Sequence, residues 1–141
     1  MRILMSVIFS LLFVGMMSGS MSGCADPEAC VPGEKCICNT TGTCHRFCSG
    51  VGCEMECSNR GECSFDCDEG KCKFIANEQG SKSFTCKGGD CTITSTGQGD
   101  TKVSCEGGNC RMTCQGQGDC TFTSCPKNNC NCSASGLGSC D

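Results

Sequence analysis

Short bursts of alternating apolar and polar residues run along most of this chain, each followed by a glycine-rich stretch. They read Cys44-HRF-Cys48, Cys53-EME-Cys57, Cys63-SFD-Cys67, Cys72-KFI-Ala76 and Lys82-SFT-Cys86. The series continues with Cys91-TIT-Ser95, Thr101-KVS-Cys105, Cys110-RMT-Cys114 and Cys120-TFT-Ser124. Alternation at period two is the signature of a strand with one buried face. The central position runs Arg46, Met55, Phe65, Phe74, Phe84, Ile93, Val103, Met112, Phe122, and is apolar throughout except at Arg46. The second and fourth positions are mostly polar, as in Glu54/Glu56, Ser64/Asp66 and Thr92/Thr94. Cysteine–apolar–cysteine therefore faces inward and the polar pair faces solvent.

Strand starts alternate nine and ten residues apart, so the true repeat is 19 residues, marked by Cys53, Cys72, Cys91 and Cys110. Strand, turn, strand and turn within one repeat predict one coil of an all-β, two-sided β-solenoid. Coils stack at about 4.8 Å, the sheet spacing, and about five of them fit between Glu34 and Ser139. Neighbouring coils bury the core in such arrays, and terminal coils are atypical. Both ends comply, since Cys36 and Cys132 stand where inner coils carry the apolar residue. Between strands, runs such as Lys87-GGD, Thr96-GQGD and Gln115-GQGD supply the glycines that a tight turn needs for positive φ. The predicted division is a signal peptide over 1–20, a cap or linker over 21–33, and the repeat domain over 34–141.

The cysteines carry a pattern of joint presence and loss. The last position of one strand and the first of the next flank a turn. Where one lacks cysteine so does the other, as at Ala76 with Lys82 and Ser95 with Thr101. Bridges across the turns account for this: Cys48–Cys53, Cys57–Cys63, Cys67–Cys72, Cys86–Cys91, Cys105–Cys110 and Cys114–Cys120. Cys38–Cys44, Cys125–Cys130 and Cys132–Cys140 extend the series. Pairing between stacked coils, for example Cys53 with Cys72, is also geometrically permitted, but it does not explain the joint losses. Cys24, Cys30 and Cys36 are left without an assignment. The turns lacking cysteine are expected to be the widest and most mobile.

Composition explains why so many bridges are needed. From Met21 onward there are one Leu, three Val, three Ile and five Phe, too few to fold a chain of this length by burial alone. In an oxidising compartment dense cysteine means disulfides. The compartment follows from the N-terminus, where Arg2 precedes an apolar run from Ile3 to Met17 and the small residues Ser18-Gly19-Ser20. That is the form of a secretory signal peptide, and it predicts an extracellular protein. Ser22-Gly23-Cys24 loosely resembles a bacterial lipoprotein signal, in which Cys24 would carry lipid. Metallothionein-like metal binding competes with the disulfide reading, but is weakened by secretion, by a single histidine and by only two Cys-x-Cys pairs, at Cys36/Cys38 and Cys130/Cys132.

Candidate chemistry changes this picture little. His45, the one histidine, occupies an outward position beside Arg46 and Phe47, with no catalytic motif around it. The carboxylates Glu54, Glu56, Glu62, Asp66, Asp68 and Glu69 read as a solvated acidic face rather than a metal site. The turn residues Asp90, Asp100, Asn109 and Asp119 resemble those of calcium-binding nonapeptide repeats, but the Gly-to-Asp spacing differs. No enzyme activity, cofactor or metal is expected. Asn39 and Asn131 head sequons, and Asn39 is the expected glycosylation site. Loss of Arg2 leaves ten bases against 15 acids, which argues against nucleic acid or an anionic membrane as partner.

Two resemblances bear on function. Cys91-TITS and Cys120-TFTSC look like the Thr-x-Thr strands of disulfide-laced insect antifreeze solenoids. Ice binding needs a flat threonine ladder, and here Lys73/Ile75 and Arg111/Thr113 flank Thr92/Thr94 one coil away. The combination of signal peptide, many Gly and Cys, and Gly-Gly-Asp/Asn-Cys turns resembles the small glycine- and cysteine-rich secreted effectors of plant-parasitic root-knot nematodes. That resemblance implies a gland-secreted protein delivered into host tissue, where it acts on defence through an unknown target; a non-enzymatic protein with a protein or glycan partner is expected. The resemblance carries no functional residues over. The alternatives are a toxin or inhibitor of host enzymes, and an ice-binding or extracellular structural solenoid.

Overall fold

The computed structural model describes residues 28–58, 60–126 and 128–141. The expected signal peptide and Cys24 lie outside the described residues.

Among the described residues twelve strands follow one another: β1 (Glu28–Cys30), β2 (Lys35–Cys38), β3 (Cys44–Cys48), β4 (Glu54–Cys57), β5 (Cys63–Cys67), β6 (Lys73–Ala76), β7 (Lys82–Cys86), β8 (Thr92–Ser95), β9 (Thr101–Ser104), β10 (Arg111–Cys114), β11 (Cys120–Ser124) and β12 (Asn131–Ala134). Odd-numbered strands form one six-stranded sheet and even-numbered strands a second. Every pairing between strands is parallel. The chain is thus a two-sheet β-solenoid. Its 19-residue pitch is seen in the alignment of Cys48 with Cys67, Cys67 with Cys86, and Met55 with Phe74. Six turns form rather than about five, because β1, in the segment assigned to a cap or linker, pairs with β3 and opens a further coil.

One irregularity falls in the last coil. The register of β11 on β9 shifts between Phe122 and Ser124, so Ser124 lies opposite Ser104 rather than Cys105. That bulge gives the coil one extra residue, and Cys125 moves to the strand-end position that the sequence pattern assigned to Ser124.

Inward positions build the core as the alternation requires. Met55, Phe65, Phe74, Phe84, Ile93, Val103 and Met112 are at most 1 % exposed. Phe65 and Phe84, one coil apart in the same sheet, stack at 5.5 Å between ring centroids. Phe74 of the opposite sheet stacks on Phe84 at 4.7 Å, with planes 2° apart. The rings therefore interleave across the two sheets as well as along the axis. Phe122, expected inside with the others, packs against the core but is only partly buried. It lies on the last strand of its sheet, where the Ser139–Asp141 tail alone continues the stack.

The two edges of the solenoid have different turns. Cysteines are five residues apart across the turn that follows each odd strand from β3 on (the short-turn edge) and six apart across the turn that follows β2, β4 and β10 (the long-turn edge). On the short-turn edge Gly70, Gly89 and Gly108 have φ near 80°, and Lys71, Asp90 and Asn109 follow them with φ near 58°. This is the positive-φ use that the sequence suggests. On the long-turn edge the glycine requirement is mostly steric. A Cβ at Gly99 would come 2.1 Å from the Gly80 carbonyl oxygen, and one at Gly118 2.3 Å from that of Gly99. Stacked turns leave no room for a side chain in this column. Gly99→Ala should cost about 1–3 kcal/mol, the range for forced overpacking. Denaturant unfolding under oxidising conditions checks it, and an unchanged midpoint would show that the turn column yields freely.

Candidate interaction surface

Strand alternation sorts the side chains into a repeated interior and a varied exterior. The even-strand face presents the outward pairs Lys35/Ile37, Glu54/Glu56, Lys73/Ile75, Thr92/Thr94, Arg111/Thr113 and Asn131/Ser133, aligned coil on coil. Its first coils are laced by charge. Lys35 bridges Glu54 at 3.7 Å and also pairs with Glu56, while Lys73 reaches Glu54 at 3.3 Å. The odd-strand face presents His45/Phe47, Ser64/Asp66, Ser83/Thr85 and Lys102/Ser104.

The residues singled out from the sequence fall into place on this frame. His45 Nε2 lies 2.8 Å from Asp66 Oδ2 on the exposed odd face. Arg46, the exception in the apolar column, stands opposite Glu28 at the N-terminal end and is ion-paired with it. Asp68 pairs with Lys87 at 2.9 Å, so four of the six early carboxylates have cationic or histidine partners. Several of the turn residues compared with calcium ligands instead tie one coil to the next. The Asp119 N–H donates to Asp100 Oδ1, and Ser139 donates through N–H and Oγ to Asp119 Oδ1. Those two bonds, the backbone one first, hold the Asp119 carboxyl below its ordinary pKa. Asn109 and Asn129 are joined in the same way, at 2.6 and 2.9 Å. Thr92 aligns with Lys73 and Arg111, so the threonine ladder that ice binding needs is interrupted on both sides. Asn39 is exposed in the turn after Cys38.

Ten disulfides join Cys30–Cys36, Cys38–Cys44, Cys48–Cys53, Cys57–Cys63, Cys67–Cys72, Cys86–Cys91, Cys105–Cys110, Cys114–Cys120, Cys125–Cys130 and Cys132–Cys140. Each crosses a turn, and the Cα atoms of each pair lie 5.8–6.5 Å apart, closer than facing sheets ordinarily approach. Cys30–Cys36 is the pair left unassigned above. Its spacing of six matches the long-turn bridges, and this was the available signal.

The two turns without cysteine are closed by other means. Ser95 and Thr101 are buried and share a hydrogen bond of 2.8 Å between hydroxyls. Lys82 is 1 % exposed and donates through Nζ to the Glu78 carbonyl oxygen within its own turn. The turns expected to be the widest and most mobile are thus filled by polar side chains seated where sulfur stands in other coils. Burial lowers the Lys82 pKa from the ordinary 10.5, against the opposing charges of Glu78 and Asp100. A lysine whose folded pKa is lowered destabilises the fold while charged in both states, and is relieved between the folded pKa and 10.5. Stability should accordingly rise as pH approaches that value from below, and Lys82→Met should remove the rise. Urea midpoints of the two proteins at neutral and at alkaline pH test this. Parallel pH profiles would contradict it.

Exposed apolar side chains gather at one end. Val31, Ile37, Phe47 and Val51 are 36–50 % exposed, and all belong to the first two coils. Leu137, in the last coil, is the other large one among the described residues. A cleft of about 280 Å³ opens at the N-terminal end between Glu28, Val31, Lys35, Ile37 and Arg46. The central signal for this surface was Phe47 at an outward position, where the next strands of the same sheet carry Asp66, Thr85 and Ser104.

No protein-family model, curated protein or solved structure matches the chain.

Proposed function

We propose that this protein is a secreted, non-enzymatic interaction module, of the kind a parasite delivers into host tissue to act on defence. Its disulfide framework is typical of extracellular proteins. The observation that carries the reading is the division between interior and exterior. Inward columns repeat coil after coil, while outward pairs change from basic–aliphatic to acidic, hydroxylic and amide. A surface that needed only to be soluble would have no use for the exposed apolar residues at the N-terminal end. Val31, Phe47 and Val51, beside the charged pair Arg46–Glu28, supply the mixture of apolar anchors and polar rim by which protein partners are held. The resemblance to nematode effectors supports delivery to a host as the setting.

Capture from host extracts by the wild-type protein and by Phe47→Asp/Val51→Asp tests the proposal. The expected result is a defined partner retained by the first and lost by the second, with the β-sheet circular dichroism unchanged. Equal capture by both would remove the N-terminal end from the function. Potent inhibition of a single hydrolase in a parallel panel would make the protein an inhibitor instead.

A further inference from the structure

The short-turn edge carries an uninterrupted column of sulfur. Cys48 Sγ lies within 4.8 Å of both sulfurs of the Cys67–Cys72 bridge. Cys67 Sγ stands in the same relation to Cys86–Cys91, and Cys86 Sγ to Cys105–Cys110. Cys48, Cys67 and Cys86 therefore each face the whole bridge of the next coil. The long-turn edge cannot continue such a column, because Ala76/Lys82 and Ser95/Thr101 occupy two successive coils.

We propose that this edge is a thiol–disulfide exchange site, along which a single thiol passes from coil to coil, with a small-molecule thiol such as glutathione as its co-reactant. A first small thiol attacks Cys48 Sγ, forms a mixed disulfide there and releases Cys53; a second attacks the outer sulfur of that mixed disulfide and releases the Cys48 thiolate together with the small-molecule disulfide. Cys48, at 5 % exposed, is the least buried member of the column, the others being at most 1 % exposed. The Cys48 thiolate then attacks Cys72 Sγ. Cys48–Cys72 forms, Cys67–Cys72 breaks, and the electron pair leaves on Cys67. Cys67 repeats the step on Cys91 and releases Cys86, and Cys86 repeats it on Cys110 and releases Cys105. The two small thiols supply the electrons that open Cys48–Cys53; along the column one S–S bond forms and one breaks at every step, so the passage itself neither oxidises nor reduces the chain. A proton from solvent ends on the last thiolate. Exchange needs an attacking thiolate in contact with a disulfide sulfur. The stacked coils hold the two together throughout, in place of a chance encounter. Burial disfavours the thiolate and slows each step, so the passage belongs on the scale of minutes to hours.

The test frees one thiol at a known place. In Cys53→Ser, Cys48 begins as a thiol beside the intact Cys67–Cys72 bridge. After incubation at neutral pH, the protein is quenched in acid, alkylated and mapped by mass spectrometry, with the Cys24 peptide scored apart. Passage spreads the label over Cys48, Cys67, Cys86 and Cys105, and attack on the other sulfur of a bridge leaves part of it on Cys72, Cys91 and Cys110. The expected result is that less than half remains on Cys48 and that Cys86 and Cys105 are labelled, while Cys114 and Cys120 are not. Cys110→Ser frees Cys105 at the other end, against Cys86 Sγ; attack there releases Cys91, and repetition on Cys67 and Cys48 should carry the label to Cys91, Cys72 and Cys53. It gives the reading if Cys53→Ser fails to fold. Label confined to the starting cysteine in the folded variants overturns the proposal. So does equal label on Cys114 and Cys120, which would mean scrambling through unfolding rather than passage along the edge.

Discussion

Complete reduction should unfold this protein at neutral pH, with loss of the β-sheet circular dichroism and of resistance to proteases. The repeat domain orders more than a hundred residues, each at a conformational cost of about 1–2 kcal/mol. Against this it has a single file of seven buried large apolar side chains, from Met55 to Met112. A bridge that closes a loop of five to eight residues stabilises by about 2 kcal/mol in the loop-entropy account. Ten such bridges would together contribute about 20 kcal/mol if additive, more than the roughly 5–15 kcal/mol by which folded domains are stable. The sulfur atoms also fill volume, since most of the bridged cysteines line the core itself. Far-UV spectra before and after phosphine reduction, with thiols counted, decide the matter. A β spectrum that persists with all bridges open would mean that parallel pairing and the phenylalanine stack suffice alone.

The coil was legible because its two constraints leave separate marks on the chain. Side-chain alternation fixes which residues face inward, and the 19-residue return fixes which of them stack. Turn-flanking cysteines that vanish in pairs identify partners across a turn, and the structure joins those partners. What could not be read were the substitutes and the ends. Lys82 appears in the sequence as a charged residue at an inward position. Only the geometry of the turn shows its ammonium reaching the Glu78 carbonyl oxygen, where a disulfide would otherwise lie. The Ser95–Thr101 hydroxyl pair is similarly invisible until the two strand ends are brought together. The first coil was obscured because its bridge departs from the repeat. Cys36 aligns with the apolar position of Met55, not with the turn-flanking Cys53. For the surface, the sequence indicates which residues point outward but not that Val31 and Val51, both in turns, share one end of the molecule with Phe47 and Ile37.

Phe84→Ala should have the largest effect of any single replacement in the core, about 3–5 kcal/mol. Phe84 is 1 % exposed and contacts two other rings, Phe74 at 4.7 Å and Phe65 at 5.5 Å, all nearly parallel. Each aromatic pair adds about 0.5–1.5 kcal/mol beyond the burial of area, and removing the central ring breaks both contacts. Collapse around the vacancy is resisted on every side. The coils above and below are fixed by in-register pairing of β7 with β5 and β9. The turn at one end of β7 is locked by Cys86–Cys91, and the turn at the other is filled by Lys82. A cavity that cannot close retains its full cost. Phe122→Ala provides the comparison, because that ring is only partly buried and sits in the last coil. It should cost about a third as much by loss of transfer energy alone. Equilibrium unfolding in guanidinium, with the bridges intact and the two variants measured side by side, separates the contributions. Equal losses for Phe84 and Phe122 would show that the bridges hold the coils and that the interleaved rings merely fill the space between them.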